Sequence, residues 1–348
     1  MSNRREFLRA AMSSAVLLAR PAFAQGRKRV EVDGRPVTVV DVHAHCVFPE
    51  VAERLPNANP AGIIIPELLA LGPHRIDMMD QRGIDVQALS VNQYWWYERE
   101  PELAAQIVRI HDDGLAAWCE QHPDRFVALS SVALQAPELA AEQLDYAVRS
   151  LGHRGASIGG HVAGEPPTSP KYDPFWAKAE ELGVPVFMHP NNAMNIVRSG
   201  GLDGRGGLGN IVGNPLETTV FLSHMIFEGV FDRFPGLVVC AAHGGGYLPS
   251  YLGRTEAACE RNNAQCANRK RPSEYLKDQI VVDSMVFSTE GLRHLVAETG
   301  VTQVVYGSDI PYDWPETIDL IVESPHFSAA DKRAILGGNL MRLLRIQA

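Results

Sequence analysis

A chain of 348 residues, 45% hydrophobic and 21% charged, has the balance of a globular protein with a sizeable core. Length alone suggests about two domains, yet barrels of alternating strands and helices often run this long as one. The net charge of −9 supplies no electrostatic footprint for nucleic acid, and the basic run Arg27-Lys28-Arg29 reads as a solvated N-terminal stretch, so no nucleic-acid partner is expected.

The first segment, "NRREFLRAAMSSAVLLARPAFAQG", pairs Arg4 with Arg5, follows them with Phe7-Leu8, and ends in the small-x-small pattern Ala22-Phe23-Ala24. It resembles a twin-arginine export signal. The apolar run from Ala10 to Ala19 is too short to span a bilayer; left uncleaved, it would be an amphipathic or anchoring helix. Cleavage after Ala24 is the expectation: residues 1–24 a signal peptide, residues 25–348 a single barrel domain, and the protein periplasmic or exported with no stable membrane span. The five cysteines, Cys46, Cys119, Cys240, Cys259 and Cys266, include no C-x-x-C pair. An oxidising compartment would permit a disulfide, with Cys259 and Cys266 the nearby pair; most read as buried free thiols.

After residue 36, short apolar runs alternate with longer amphipathic segments. Val37–His43 predicts the first strand, and a long loop over Cys46–Pro66 follows. Val86–Val91 predicts the second strand, then a helix over Glu102–Glu120, opened by Pro101. Next come strand Phe126–Val132, helix Pro137–Leu151, strand Ala156–Gly159, helix Tyr172–Leu182 and strand Pro185–His189. A second long loop, Asn191–Gly213, is glycine-rich and reads as a mobile loop over a site. The remaining elements are helix Leu216–Phe234, strands Leu237–His243 and Ile280–Ser284, helix Thr289–Thr299, strand Gln303–Ser308 and helix Ala329–Leu344. Eight strands alternating with helices predict an α/β fold with a parallel sheet closed into a (β/α)8 TIM barrel. A doubly wound open sheet is the alternative, weakened because no G-x-G-x-x-G follows the first strand.

Polar residues interrupt these strands at one end. In "TVVDVHAH", Asp41, His43 and His45 stand two apart and are predicted to share one face. "PVFMHP" ends in His189, "LVVCAAHGGG" in His243 and "QVVYGSDIP" in Asp309. In a barrel, the C-terminal ends of the strands meet at one mouth, where active sites are built. Four histidines and an aspartate would converge there. Imidazole with carboxylate suits a divalent ion such as Zn2+, and three histidines with one carboxylate leave a position open, as catalytic sites do. A single buried histidine is more often hydrogen-bonded to backbone, but five polar strand ends strain that account. Asp41 reads equally as a partner orienting a ligand histidine or as a capping residue at the barrel base.

The set His43-x-His45, His189, His243 and Asp309 resembles the amidohydrolase superfamily. "RIDMMDQRGIDVQALS", "QAPELAAEQLDYAVRSLG", "NPLETTVFLSHMIFEGVFDRFPGLVVCAAHGGGYLPSYLGR" and "YGSDIPY" are similar to its 2-amino-3-carboxymuconate 6-semialdehyde decarboxylase branch. Members of that branch are mononuclear metal enzymes; most decarboxylate aromatic or muconate-type acids without redox chemistry, and some are hydrolases or hydratases. The fourth strand, "GASIGGH", lacks the lysine that bridges two metals in binuclear relatives. The resemblance therefore implies one divalent ion, Zn2+ with Mn2+ as the alternative, held by His43, His45, His189 and Asp309. It implies His243 as the general base toward a water polarised by that ion.

The same resemblance gives Arg75 and Arg254 the grip on a substrate carboxylate, which a guanidinium fork binds bidentately. By composition alone either arginine would be a surface ion pair. Arg254 would reach a neighbouring subunit's site, which implies a homodimer or larger. The chain departs from the branch at "VNQYWWYERE" and at Asn191-Asn192, segments that form its substrate pocket. Tyr94 to Tyr97 would be an aromatic wall or a packed loop; His161 and Asp283 stay open. The expected activity is metal-dependent, non-oxidative decarboxylation of a small aromatic or unsaturated carboxylic acid. The alternative is a hydrolase of an ester, lactone, amide or C–C bond, and a non-catalytic binding protein is disfavoured because all five site residues are present.

Overall fold

The computed structural model describes residues 26–54, 67–191, 193, 195–261 and 265–347. The segment read as an export signal, most of the loop after the first strand, and Asn192 lie outside the described residues.

Eight parallel strands form the barrel: β1 Val40–His45, β2 Val86–Ser90, β3 Phe126–Ala128, β4 Ala156–Ile158, β5 Val186–Met188, β6 Val239–Ala241, β7 Ile280–Asp283 and β8 Val304–Val305. They run as two arcs, β1-β2-β3 and β4 through β8 in order. Isolated bridges close both seams. Ser130 pairs with Ala156 between β3 and β4, and Ala44 with Ile310 between β1 and the chain leaving β8. Around the strands lie α1 Pro73–Arg82, α2 Pro101–Gln121, α3 Pro137–Ser150, α4 Asp173–Leu182 and α5 Asn214–Phe227. The second half adds α6 Leu252–Cys259, α7 Pro272–Asp278, α8 Thr289–Thr299 and α9 Asn339–Leu343. The predicted (β/α)8 barrel is the observed fold.

Local chemistry sets the helix ends. Proline occupies the first helical position of α1, α2, α3 and α7, where its missing N–H would be unpaired anyway. The Ser288 side chain caps α8 by accepting from Gly291 N. The helix expected over Leu216–Phe234 breaks at Gly229, whose φ of 68° leaves Val230–Arg233 as a separate turn. The helix expected over Ala329–Leu344 is interrupted by a wider turn at Ala334–Gly338, where the backbone presses close to Thr38. A short hairpin, Glu31–Val32 with Arg35–Pro36, precedes the barrel and turns through Asp33-Gly34, both at positive φ.

The strand ladders are shorter than the apolar runs. Phe126–Val132 stays in the sheet only through Ala128 and Gln303–Ser308 only through Val305, so the rest of each run is free to shape the mouth. Inside, Val42, Ala88, Leu129, Phe187, Cys240, Val281 and Val305 form one apolar cluster, joined by Leu340 and Leu344 of the α9 region. A larger cluster fills the space between strands and helices. Each fully buried Leu or Val in these layers contributes roughly 1.5–3 kcal/mol by leaving water.

Candidate metal centre

The geometry begins with an irregularity in β1. Asp41 pairs with Gln87 and Ala44 with Leu89, so two residues of β1, Val42 and His43, lie opposite one of β2, Ala88. This β-bulge resets the two-residue alternation. His43 and His45 face the other site residues, while Asp41 does not join them, contrary to the shared face expected from spacing. The Asp41 carboxylate instead accepts from His43 N, Gln87 Nε2, Ser308 N and Ser308 Oγ at 2.6–3.0 Å. It ties the backbone carrying His43 to the segment carrying Asp309. Burial pushes its pKa up to about 6, although these bonds pull the other way.

His43 Nε2 lies 3.2 Å from His45 Nε2. Asp309 Oδ1 lies 3.2 Å from His43 Nε2 and 2.8 Å from His45 Nε2. The His189 ring centroid is 5.0 Å from that of His43 and 4.6 Å from that of His45. One ligand atom from each of these four buried residues falls within 4.8 Å of the others. Asp309 Oδ1 makes no hydrogen bond despite these approaches. Ligand atoms that crowd together at these distances are what a cation requires, since atoms each about 2.0–2.2 Å from a shared ion stand about 3–3.5 Å apart. The residues fit one divalent ion.

Two local devices aim the ligands. Asp309 sits at φ 61°, a left-handed conformation that aspartate tolerates better than most residues, and its N–H donates to His43 O at 2.8 Å. Asp283 Oδ2 lies 2.8 Å from His43 Nδ1 and accepts from His243 N, while Oδ1 accepts from Gly244 N. One carboxylate therefore orients both His43 and the turn bearing His243. That turn, His243-Gly244-Gly245-Gly246, has positive φ throughout; a Cβ at Gly246 would lie 2.2 Å from Pro215 O. It places the His243 ring 5.1 Å from His43 and 5.4 Å from His189.

Electrostatics divide the imidazoles. Burial opposes a charge on His43, but Asp309 and Asp283 outweigh it and raise its pKa to about 10 in the metal-free protein. Burial would raise Asp309, yet His43 and His45 hold it well below the usual carboxylate range. Burial lowers His45, drives His189 well below its ordinary value, and lowers His243 to about 4. Neutral imidazoles are the form that ligates metal or accepts a proton.

The structure thus brings His43, His45, His189, Asp309 and His243 together. Arg75 is buried on α1 behind them; its Nη2 donates to His45 O at 2.6 Å, and its Nε and Nη1 have no hydrogen-bond partner among the described residues. Arg254 stands exposed on α6. His161 Nδ1 accepts from Gly164 N within its own turn. Sequence reasoning passed over Glu217, whose Oε2 accepts from Asn191 N and Ala193 N and so braces the turn after His189. It also passed over Tyr312, whose ring meets that of His45 at 5.2 Å and whose hydroxyl bonds Gln93. A single acid in the α5 sequence, NPLETTVFLSHMIF, was the available signal for Glu217.

Residues 40–346 match the amidohydrolase family. The chain is 34% identical over 275 residues to the 2-amino-3-carboxymuconate-6-semialdehyde decarboxylase of Dictyostelium discoideum, covering 78% of this chain and 75% of that protein. It is 30% identical over 298 residues to the gamma-resorcylate decarboxylase of Rhodococcus jostii, covering 80% and 89%. A dihydroxybenzoic acid decarboxylase from Polaromonas sp., solved with bound manganese, superposes with a TM-score of 0.78 at 25% identity, covering 90% of this chain and 98% of that one.

Proposed function

The chain belongs to the amidohydrolase family, and from that membership and the geometry of the mouth we propose that it is a metal-dependent, non-oxidative decarboxylase of an aromatic or unsaturated carboxylic acid. The convergence of His43, His45, His189 and Asp309 beneath His243 carries the reading. The related decarboxylases support the substrate class, and the manganese-bound relative supports a divalent ion, Mn2+ or Zn2+.

When bound, the ion supplies positive charge that polarises a substrate oxygen. The chain's own residues do the rest. Asp283 holds His43 in one orientation, and Asp41 fixes the backbone between His43 and Asp309. His243 is half-buried, burial lowers its pKa to about 4, its Nδ1 has no partner among the described residues, and it is placed to carry the proton. In the overall reaction a proton taken from solvent adds to the carbon bearing the carboxylate, the bond to the carboxyl carbon breaks, and its electron pair returns to the substrate framework as CO2 leaves. Arg75, through its unpartnered Nε and Nη1, is proposed to bind an acid group, and Arg254 to do so in a neighbouring subunit of a dimer or larger assembly.

We further read residues 1–24 as a twin-arginine signal removed on export, and residues 25–348 as one barrel domain working outside the cytoplasm. Among the described residues no helix is long and apolar enough to cross a membrane. The deciding assay incubates the metal-loaded protein with a panel of hydroxybenzoates and unsaturated acids and measures released CO2. Products one CO2 lighter support decarboxylation, whereas products that have gained water establish a hydrolase instead.

A further inference from the structure

The segment Tyr94-Trp95-Trp96-Tyr97 follows β2 and carries four consecutive aromatic side chains. Three of them satisfy their polar atoms within the protein. Tyr94 OH bonds His111 Nε2 at 3.0 Å, Trp96 Nε1 donates to Val132 O at 3.0 Å, and Tyr97 OH accepts from Gly159 N at 3.2 Å. The fourth does not. Trp95 Nε1 is buried and has no hydrogen-bond partner among the described residues. A buried indole N–H left unpaired loses its hydration without compensation unless something arrives to accept from it.

The position of this donor is fixed by the sheet. A Cβ at Gly159 would stand 2.8 Å from Trp95 Nε1, so the indole edge rests on the face of Gly159 that lacks a side chain. Ser157 pairs with Phe187 and Ile158 with Met188, which places Gly159 beside His189 in the next strand; the bond from His189 N to Ile158 O at 2.9 Å keeps that register. Neighbouring strands lie about 4.8 Å apart. Phe187 packs against His43, with centroids 5.4 Å apart, so the face shared by Ser157, Phe187, Gly159 and His189 is the inner one. The Trp95 N–H therefore enters the mouth one strand away from a metal-ligand candidate. Its ring is held there by stacking on Tyr97, with centroids 5.5 Å apart and planes 11° apart. Asn92 and Gln93, just before it, are anchored to Ser157 and to Tyr312 beside His45.

We propose that Trp95 is a specificity-determining residue whose indole N–H, seated over Gly159, donates a hydrogen bond to an oxygen of the bound aromatic acid. This inference rests on the decarboxylase reading above for its substrate class. The oxygen belongs to the carboxylate or to a ring hydroxyl, and the probes separate the two.

The test measures dissociation constants of 2,6-dihydroxybenzoate and of benzoate for the manganese-loaded full protein and for Trp95→Phe, which keeps the ring and removes the donor. Loss of one hydrogen bond weakens binding about tenfold. Weakening of both acids identifies the carboxylate as acceptor; weakening of the dihydroxy acid alone identifies the hydroxyl. Gly159→Ala, which crowds the indole from the opposite side, is expected to weaken the same acids while metal content by elemental analysis stays unchanged. Unchanged constants for Trp95→Phe with both acids overturn the proposal. If the wild type binds neither acid and releases no CO2 from the wider panel, the substrate class itself falls and the proposal falls with it.

Discussion

Asp283 Oδ2 stands 2.8 Å from His43 Nδ1, so the opposite nitrogen, Nε2, is the one turned toward His45 and Asp309. The carboxylate selects which ring nitrogen carries the proton and leaves the other free to ligate. Partners of this kind change metal affinity about 10–100-fold when removed. Asp283→Asn is expected to keep the fold and lose metal affinity within that range, measured by competition with a chelator. Affinity unchanged from wild type would remove Asp283 from the site's working parts.

The candidate ligands and the residue proposed to move the proton separate by readout. His43→Ala/His45→Ala is expected to retain no metal after gel filtration, while wild type retains about one equivalent, the stoichiometry of a single closed ligand set. His243→Ala is expected to keep its metal and lose about 10²–10⁴-fold in kcat, the usual contribution of a positioned acid–base group. Two equivalents in the wild type would mean a binuclear centre and a different enzyme.

Arg254 supplies a test of assembly. If it serves the neighbouring subunit, Arg254→Ala and His243→Ala proteins are each inactive alone, and mixed oligomers regain activity in the sites that receive one intact copy of each. Mixtures no more active than either parent would confine Arg254 to its own subunit or to the surface.

Asp112, Ser130, Ser131, His111 and His153 make a buried polar cluster behind the aromatic segment. Burial pushes Asp112 up to about 8 despite its bonds from Ser130 and Ser131. Burial lowers His111 to about 3 and His153 to about 4. Between the ordinary histidine value of 6.5 and about 8, the native state holds a proton on Asp112 that the unfolded chain has lost. This contribution to stability therefore falls as pH rises through that window. Below 6.5 the two histidines act oppositely, because there the unfolded chain binds the extra protons. Urea unfolding at pH 6.5 and 8 is expected to show a decline that Asp112→Asn makes shallower, the remainder including His43, whose raised pKa acts in the same direction; an equal decline in the variant would place its origin elsewhere.

Cys259 and Cys266 bring their sulfurs to 2.8 Å. If the N-terminal segment directs export, the mature protein meets an oxidising compartment and this pair closes as a disulfide. Thiol-specific labelling of periplasmic material is expected to miss both residues, and labelling of an Arg4→Lys/Arg5→Lys form held in the cytoplasm to reach both. Equal labelling in the two preparations would argue against the export reading or against the disulfide, and the location of the protein distinguishes these.

Much of the mouth was legible because each candidate site residue ends an apolar strand, a contrast that needs no tertiary information to see. His43, His45, His189, His243 and Asp309 all carry that signature. What escaped depends on contacts made across the chain. The bulge that turns Asp41 away from His43 arises from pairing with β2, and nothing between Thr38 and His45 announces it. Asp283 lies inside an apolar strand, and its task is set by a histidine 240 positions away. The break at Gly229 and the turn at Asp33-Gly34 were readable from glycine, but only by asking where φ must be positive.

The seam where β1 meets the end of β8 runs through the ligand set: Asp309 N bonds His43 O, and His45 N bonds Ile310 O. The first strand and the segment leaving the last one thus supply the candidate ligand set together. A ribosome-bound chain that has not yet emerged past Asp309 possesses three imidazoles and no complete cage. If these residues hold the ion, capture awaits closure of this seam, and a truncated product ending before Asp309 is expected to be empty.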